Sequence, residues 1–273
     1  MIAPGNTDSV FAGQVPKIYD EYFVPLIFQQ YATDIASRVS AFRPSRVLEI
    51  ACGTGVVTRA LAESLPASVE IIATDLNQPM LDYAAGRGTK RPVEWRQADA
   101  LQLPFEDDLF DTVVCQFGVM FFPDKPRAFA EARRVLKSGG TCVFDTWDRI
   151  EDNEFANIVT DSLAAVFPDD PPRFMARTPH GYHDVDAVRA DLEKGGFRSA
   201  RIDTVAHRSR ADSPRIPAVA YCHGTPLRDE IVARDQVRLD EATAVCEKAI
   251  AARFGNGAVD SKIQAHIIEV RKS

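Results

Sequence analysis

A short apolar strand followed at once by two glycines is the part of this sequence best suited to hold a nucleotide-like ligand. Residues 47–50 form the strand, and Gly53 and Gly55 precede a run of helical character from Val56 to Leu65. Glycine lets the backbone pass close to a ligand because it has no Cβ. The helix N-terminus behind it supplies free N–H groups and a partial positive charge. This order predicts the first unit of a doubly wound nucleotide-binding fold.

The carboxylate of Glu49, directly before this turn, distinguishes two classes of ligand. A dinucleotide-binding turn has the pattern G-x-G-x-x-G, but here Thr58 stands where the third glycine belongs. An acid at Glu49 suits a ligand with a cationic amine better than one with two phosphates. A nicotinamide-dependent oxidoreductase is therefore a disfavoured alternative, and an ordinary strand-to-helix turn is the structural alternative.

Polar or aromatic residues also follow three further predicted strands. Asp75 comes after the second strand, Asp99 and Ala100 after the third, and Gln116 and Phe117 after the fourth. Because the carboxyl ends of parallel strands meet at one edge, these residues are expected to lie together, where ligands bind in such sheets. The spacing from the glycine turn to Asp75 matches an acid that binds a ribose. The predicted strands are residues 69–74, 93–98 and 111–115.

The composition is that of an ordinary globular protein and excludes several other classes. The chain has 273 residues, 45% of them hydrophobic and 26% charged, with a net charge of −7. This acidic balance argues against a nucleic-acid partner, and no apolar run reaches the ~20 residues that cross a bilayer. Five dispersed cysteines and the lack of an N-terminal signal predict a cytoplasmic protein. Nothing in the sequence indicates an oligomeric state.

The remaining pattern predicts a helical N-terminal region, two more strands and two insertions. The N-terminal region covers residues 18–42, with Pro25 expected to break or kink it. A glycine pair, Gly139 and Gly140, is expected to separate a helix from strand five. The predicted helices are residues 77–86, 125–136, 152–167, 185–194, 226–234 and 240–255, and strands five to seven are residues 141–147, 197–206 and 263–271.

Five segments in this order resemble the class I S-adenosylmethionine (SAM)-dependent methyltransferases. They are similar to the branch that includes the ubiquinone/menaquinone-type (methyltransferase type 11) enzymes, over about residues 10–150. One departure is Ala51, where many relatives have glycine. The segments are Val47–Gly55, Ala73–Leu81, Gln97–Ala100, Phe110–Phe117 and Leu136–Thr141.

The resemblance implies an α/β, Rossmann-like fold with a seven-stranded, mostly parallel sheet. The implied strand order is 3-2-1-4-5-7-6, with strand 7 antiparallel. It implies a single methyltransferase domain over residues 1–273. Within it, residues 1–42 are an N-terminal helical cover, 43–147 the SAM-binding core, and 148–184 and 207–262 helical cap insertions.

The resemblance also implies SAM as the cofactor, with S-adenosylhomocysteine as its product, and a set of residues that bind it. Asp75 is expected to accept from the ribose, Asp99 from the adenine amine, and Tyr19 to approach the amino-acid end from the mobile cover around Phe11. Tyr19 packing without a ligand role is the alternative. The implied residues are Tyr19, Glu49, Ala51, Gly53, Thr54, Gly55, Asp75, Leu76, Met80, Asp99, Ala100, Gln116 and Phe117.

The predicted function is methyl transfer to a small molecule in an enclosed apolar pocket above Gln116 and Phe117. Holding donor and acceptor in line can supply roughly 7–11 kcal/mol, and a base is needed only if the acceptor must lose a proton. The candidate bases are Asp145, His180, His183 and His223, with Tyr19 as a weaker catalytic candidate. His180 and His183 have no third ligand spaced for a metal. The non-enzymatic alternative is a SAM-binding regulatory protein.

Overall fold

A computed structural model describes residues 15–273, in which seven strands form one mixed sheet. The strand order is β3-β2-β1-β4-β5-β7-β6, and β7 is antiparallel to both of its neighbours. The remaining pairs are parallel, so the predicted topology is confirmed. The strands are β1 Arg46–Ile50, β2 Glu70–Asp75, β3 Glu94–Gln97, β4 Phe110–Cys115, β5 Leu136–Trp147, β6 Arg201–Ala211 and β7 Val259–Arg271.

Both faces of the sheet are covered, because consecutive residues of the central strands are buried. Val47 and Leu48 of β1 and Val113 and Val114 of β4 have no exposed surface, as expected for a parallel sheet between two helical layers. The helices are α1 Val15–Ile18, α2 Gln29–Phe42, α3 Val56–Ser64, α4 Gln78–Arg87, α5 Lys125–Val135, α6 Glu154–Val166, α7 Phe174–Arg177, α8 Val185–Lys194, α9 Arg215–His223, α10 Leu227–Arg234 and α11 Leu239–Phe254.

The N-terminal helical region is continuous, so of the break or kink predicted at Pro25 the break does not occur, and the helix instead departs from α geometry there. Residues Tyr19–Phe28 form a π-helical stretch, the π segment, which joins α1 to α2 and contains Pro25. A π turn is wider than an α turn and tolerates a residue without an N–H, since the regular i→i−4 hydrogen-bond pattern of the helix is already interrupted there. Phe11 and the start of the predicted cover lie outside the described residues.

Four predicted strand boundaries are corrected: the start of β5, both ends of β6 and the start of β7. β5 begins at Leu136, not Thr141, because Gly139 and Gly140 pair with the backbone of Lys272. β6 begins at Arg201 rather than residue 197, since Ser199 has a φ of 55°, which no strand residue adopts. β6 and β7 then pair as far as Ala211 and Val259, beyond the end of β5.

The predicted second insertion, residues 207–262, therefore loses both ends to the sheet, and the helix α9 within it was missed. α6, α9 and α11 pack on one another, and α9 also packs on the π segment. The cap helices thus hold the N-terminal region against the carboxyl edge of the sheet. The division into one domain with two cap insertions stays a prediction. From residue 15 onward, no helix is both long and apolar enough to cross a membrane.

Candidate functional site

The turn after β1 has left-handed backbone at three alternate residues. Ala51, Gly53 and Gly55 have φ angles of 54°, 54° and 82°. A Cβ at Gly53 would meet nothing within 4 Å, whereas one at Gly55 would come within 3.1 Å of Trp95. Gly53 therefore leaves the turn open to a ligand, and Gly55 permits close packing. Ala51 adopts the same angle with a side chain, which costs about 1 kcal/mol.

A cleft opens beside this turn and unites six of the predicted residues. They are Tyr19, Glu49, Ala51, Gly53, Thr54 and Gln116, joined by Phe28, Cys52, Val56 and Val57. The cleft holds about 290 Å³ of empty space, its open mouth included. The hydroxyl oxygen of Thr54 is buried and has no hydrogen-bond partner among the described residues. An open glycine turn with an unpaired hydroxyl beside it fits a polar ligand that runs along the backbone.

Glu49 is buried at the base of the cleft, where Thr58 holds its carboxyl group. The Thr58 hydroxyl donates to Glu49 Oε2 at 2.6 Å, and Glu49 is 1% exposed. Burial raises the pKa of Glu49 from 4.5 to about 8. Thr58 thus supplies a hydrogen bond where a dinucleotide-binding turn has its third glycine. A carboxyl group with a pKa near neutral pH can ionise when a cation binds beside it, so this site suits a cationic partner.

Asp75 is buried and organises the turn. Its Oδ2 accepts from Gly53 N at 2.9 Å, and its Oδ1 accepts from Asn77 N at 2.8 Å. Burial raises the pKa of Asp75. The next residue, Leu76, is 45% exposed, an uncovered apolar surface where a ligand base would pack.

The two predicted adenine residues, Asp99 and Ala100, follow β3, and the cofactor-binding candidate Met80 lies in the first turn of α4. Asp99 is exposed, and its Oδ1 accepts from Leu101 N at 2.9 Å. Ala100 and Met80 are 7% and 3% exposed. Asp99 therefore has the accessible polar surface among these three, and Met80 has little surface left for a ligand.

Aromatic rings fill the space above Phe117, so the enclosed apolar pocket predicted at this position is occupied by the protein's own side chains. Phe117 stacks on Trp147 with ring centroids 3.8 Å apart. Tyr31 meets both rings edge-on, and Phe28 lies 5.5 Å from Phe117. Tyr19 stacks on Phe28 at 5.1 Å. The π segment and α2 thus close this side with their own side chains.

The predicted histidines do not line the cleft. His180 is buried and donates from Nδ1 to Asp148 O at 2.8 Å, and burial lowers its pKa to about 4. His183 is exposed and donates to His180 O. His223 lies 2.9 Å from the Thr243 hydroxyl, between α9 and α11. Packing and capping account for all three, so the structure does not support a catalytic role for them.

Asp20, which the sequence analysis missed, ties the π segment to the nucleotide-binding half. Its buried carboxylate lies 3.1 Å from Arg59 and 3.3 Å from Arg87, and it accepts from the Tyr83 hydroxyl at 3.4 Å. Arg59 also donates to Thr54 O at 2.7 Å. This ion cluster connects the residue next to Tyr19 directly to the glycine turn. An acid and a base four residues apart on one helix can be recognised from the sequence. Asp20 and its arginine partners lie far apart along the chain, so no sequence pattern marks this cluster.

Comparison with known proteins agrees with this geometry. The family model described as a methyltransferase domain matches residues 48–144. A demethylmenaquinone methyltransferase from Lactobacillus johnsonii is 30% identical over 169 residues, which cover 57% of this chain and 68% of that protein. Another, from Lactiplantibacillus plantarum, is 43% identical over 103 residues, 36% of this chain and 44% of the relative. The chain thus spans less than half the length of the latter.

A solved structure extends the similarity to nearly the whole fold. The YcgJ protein of Bacillus subtilis is 19% identical, with a TM-score of 0.57 over 89% of this chain and 99% of that chain. At this identity the likeness concerns the fold alone, and the sequence relatives carry the family. The chain therefore belongs to the class I SAM-dependent methyltransferases, in the ubiquinone/menaquinone-type branch.

Proposed function

We propose that this protein transfers a methyl group from SAM to a small apolar molecule with oxygen atoms on its ring, of the quinone type. The observation that carries the proposal is the meeting of Glu49, Thr54 and the open turn at Gly53 in one cleft, with Asp75 hydrogen-bonded to that turn. The relatives' names supply the class of acceptor. Five cysteines, none in a disulfide, suit the proposed cytoplasmic location.

SAM, when bound, supplies a methyl group activated by a positively charged sulfur. The residues of this chain position and enclose it. Glu49 pairs with the cationic amine, Asp75 accepts from the ribose hydroxyls, and Tyr19 covers the cleft and excludes water. Such positioning can supply roughly 7–11 kcal/mol of barrier lowering, and the proton that the acceptor loses on methylation is released to water.

Calorimetric titration with SAM, S-adenosylhomocysteine and NAD tests the cofactor. We expect the first two to bind and NAD not to bind; the reverse result would support the oxidoreductase instead. Turnover is then measured with methyl-labelled SAM and a short-chain demethylated naphthohydroquinone. Binding without labelled product from any ring acceptor would favour the regulatory alternative.

Asp99→Ala is expected to weaken SAM and S-adenosylhomocysteine by the same factor. Both ligands carry the adenine amine, and an exposed charge-assisted hydrogen bond contributes about 1–2 kcal/mol, or roughly tenfold in affinity. Calorimetry on the two ligands measures the effect, with Asp107→Ala, an exposed acid in the following loop, as the control. A loss for one ligand only would contradict the assignment of Asp99 to adenine.

Asp20→Asn is expected to loosen the cover. It removes a buried charge from Arg59 and Arg87, and because these arginines are partly exposed we expect a loss of about 1–2 kcal/mol in unfolding free energy. The release of the π segment should also speed SAM dissociation in stopped-flow experiments.

Glu21→Gln is the matched control for Asp20. Glu21 forms only an exposed pair with Lys17 at 3.7 Å on the same segment, which contributes less than about 0.5 kcal/mol. Equal effects of the two substitutions on dissociation would show that Asp20 does not hold the cover.

A further inference from the structure

Asp145 lies at the carboxyl end of β5, directly beneath the aromatic rings. It has no exposed surface and shares one face of the strand with Trp147, because alternate strand residues point the same way. Its Oδ1 accepts from Phe117 N at 2.6 Å. Asp145 is therefore fixed between the end of β4 and the rings that cover the cleft.

The second carboxyl oxygen of Asp145 is buried and has no partner among the described residues. The amide of Gln116, whose Nε2 donates one of its two hydrogens to Phe28 O at 3.3 Å, lies close enough to favour the ionised form without completing a hydrogen bond to this oxygen. A buried polar oxygen left unpaired costs about 1–3 kcal/mol. A site that bears such a cost in the free protein is suited to a ligand that supplies the missing partner.

The direction of that missing hydrogen bond follows from the first one. Burial raises the pKa of Asp145 far above its ordinary value, and the charge of Asp34 on α2 raises it further. Because the group is fully buried and hydrogen-bonded to a neutral backbone amide, its protonated form is favoured. Since Oδ1 accepts from Phe117 N, the proton belongs on Oδ2, which then acts as a donor. The partner that is missing is an oxygen that accepts.

The surroundings of Oδ2 suit a flat ring. Phe117 holds a left-handed φ of 48°, a strain of roughly 1–3 kcal/mol that its bond to Asp145 and its stack on Trp147 offset. Phe28, from the π segment, packs against both rings. Movement of the π segment would free a slot of ring shape with one polar group at its base, the usual composition of a small-molecule site.

We propose that Asp145 orients the methyl acceptor by donating a hydrogen bond from Oδ2 to an oxygen on the acceptor's ring. An acceptor ring takes the place of Phe28 beside Phe117 and Trp147. This inference rests on the proposed function and assigns a residue to its acceptor half. Asp145 thereby selects ring compounds that carry oxygen over bare hydrocarbons of the same shape.

Binding of 1-naphthol and naphthalene, which differ by one oxygen, tests this role. Affinities are measured by calorimetry with and without S-adenosylhomocysteine on the wild type, Asp145→Asn and Asp145→Leu. Asparagine keeps an acceptor for Phe117 N and a donor in place of Oδ2, whereas leucine keeps neither. We expect the wild type to prefer 1-naphthol by about tenfold or more, Asp145→Asn to keep this preference within about threefold, and Asp145→Leu to lose it.

The outcomes separate this inference from the proposed function. A wild type that prefers naphthalene, or an asparagine variant that loses the preference, would overturn the donor role of Asp145. If the leucine variant does not fold, the affinities of the wild type and Asp145→Asn for the two ligands still test the donor role of Asp145. Failure of the wild type to bind S-adenosylhomocysteine would instead overturn the proposed function.

Discussion

Glu49→Gln is expected to lower the affinity for SAM at least 100-fold while leaving the free protein folded. The loss follows because the buried cationic amine of the ligand would have no counter-charge, which costs about 2–5 kcal/mol. Glutamine can still accept from the Thr58 hydroxyl, so the local packing survives. Calorimetry with SAM measures the affinity, with Glu63→Gln as the control, an exposed acid of α3 paired with Lys90.

The proton balance of binding gives a second, independent readout for Glu49. With a pKa of about 8, the free carboxyl is mostly protonated at pH 7, and pairing with a cation makes it ionise. The wild type should release roughly 0.8 proton on binding SAM, whereas Glu49→Gln should take up about 0.1, because the ligand's own amine becomes fully protonated. Titration in buffers of different ionisation enthalpy measures both. Equal proton release in the two proteins would show that Glu49 does not pair with the ligand's amine.

The same raised pKa predicts that Glu49→Gln, which weakens SAM binding, stabilises the free protein. Because folding raises the pKa of Glu49 from 4.5 to about 8, its contribution to stability is present below pH 4.5 and is lost as the pH rises through 8. Glutamine does not titrate, so without ligand Glu49→Gln should gain in Tm relative to the wild type between pH 5 and pH 8. Parallel melting curves of the two proteins would contradict the raised pKa.

Asp75→Ala is expected to lower SAM affinity at least 100-fold, more than the loss of the ribose bonds alone. The carboxylate also accepts from Gly53 N and Asn77 N, so alanine leaves two turn amides unpaired as well. Hydrogen bonds to a charged group contribute about 1.5–3 kcal/mol each. Asp75→Asn should be milder, because its remaining oxygen can still accept from one of these amides.

The control for Asp75 is Asp82→Ala, an exposed acid of α4 that interacts with Gln78. Both affinity and Tm are measured, since the turn amides predict a loss of stability in Asp75→Ala that the control does not show. A folded Asp75→Ala protein that binds SAM as tightly as the wild type would show that Asp75 neither binds the ribose nor shapes the turn.

The sequence by itself determined the core of the sheet and the edge at which the site lies. Each apolar strand and the polar residue at its end, such as Glu49, Asp75 or Gln116, lie close together in sequence. Local sequence therefore determines which strand ends carry polar groups. Helix α8, bounded by the Asp184 cap and a glycine, was predicted at its observed bounds for the same reason. The order of the strands came from the resemblance, since spacing alone does not give it.

Only the tertiary structure decided which residues contact one another around the site. Asp20 meets Arg59 across 39 residues, and Phe117 meets Asp145 across 28, so neither pair leaves a periodic signal. The extension of β6 and β7 depends on their mutual pairing, and the π helix around Pro25 is held by packing against α9. Burial, which raises the pKa of Glu49 and leaves Asp145 Oδ2 without a partner from residue 15 onward, depends on residues far away in sequence and so is a property of the assembled chain.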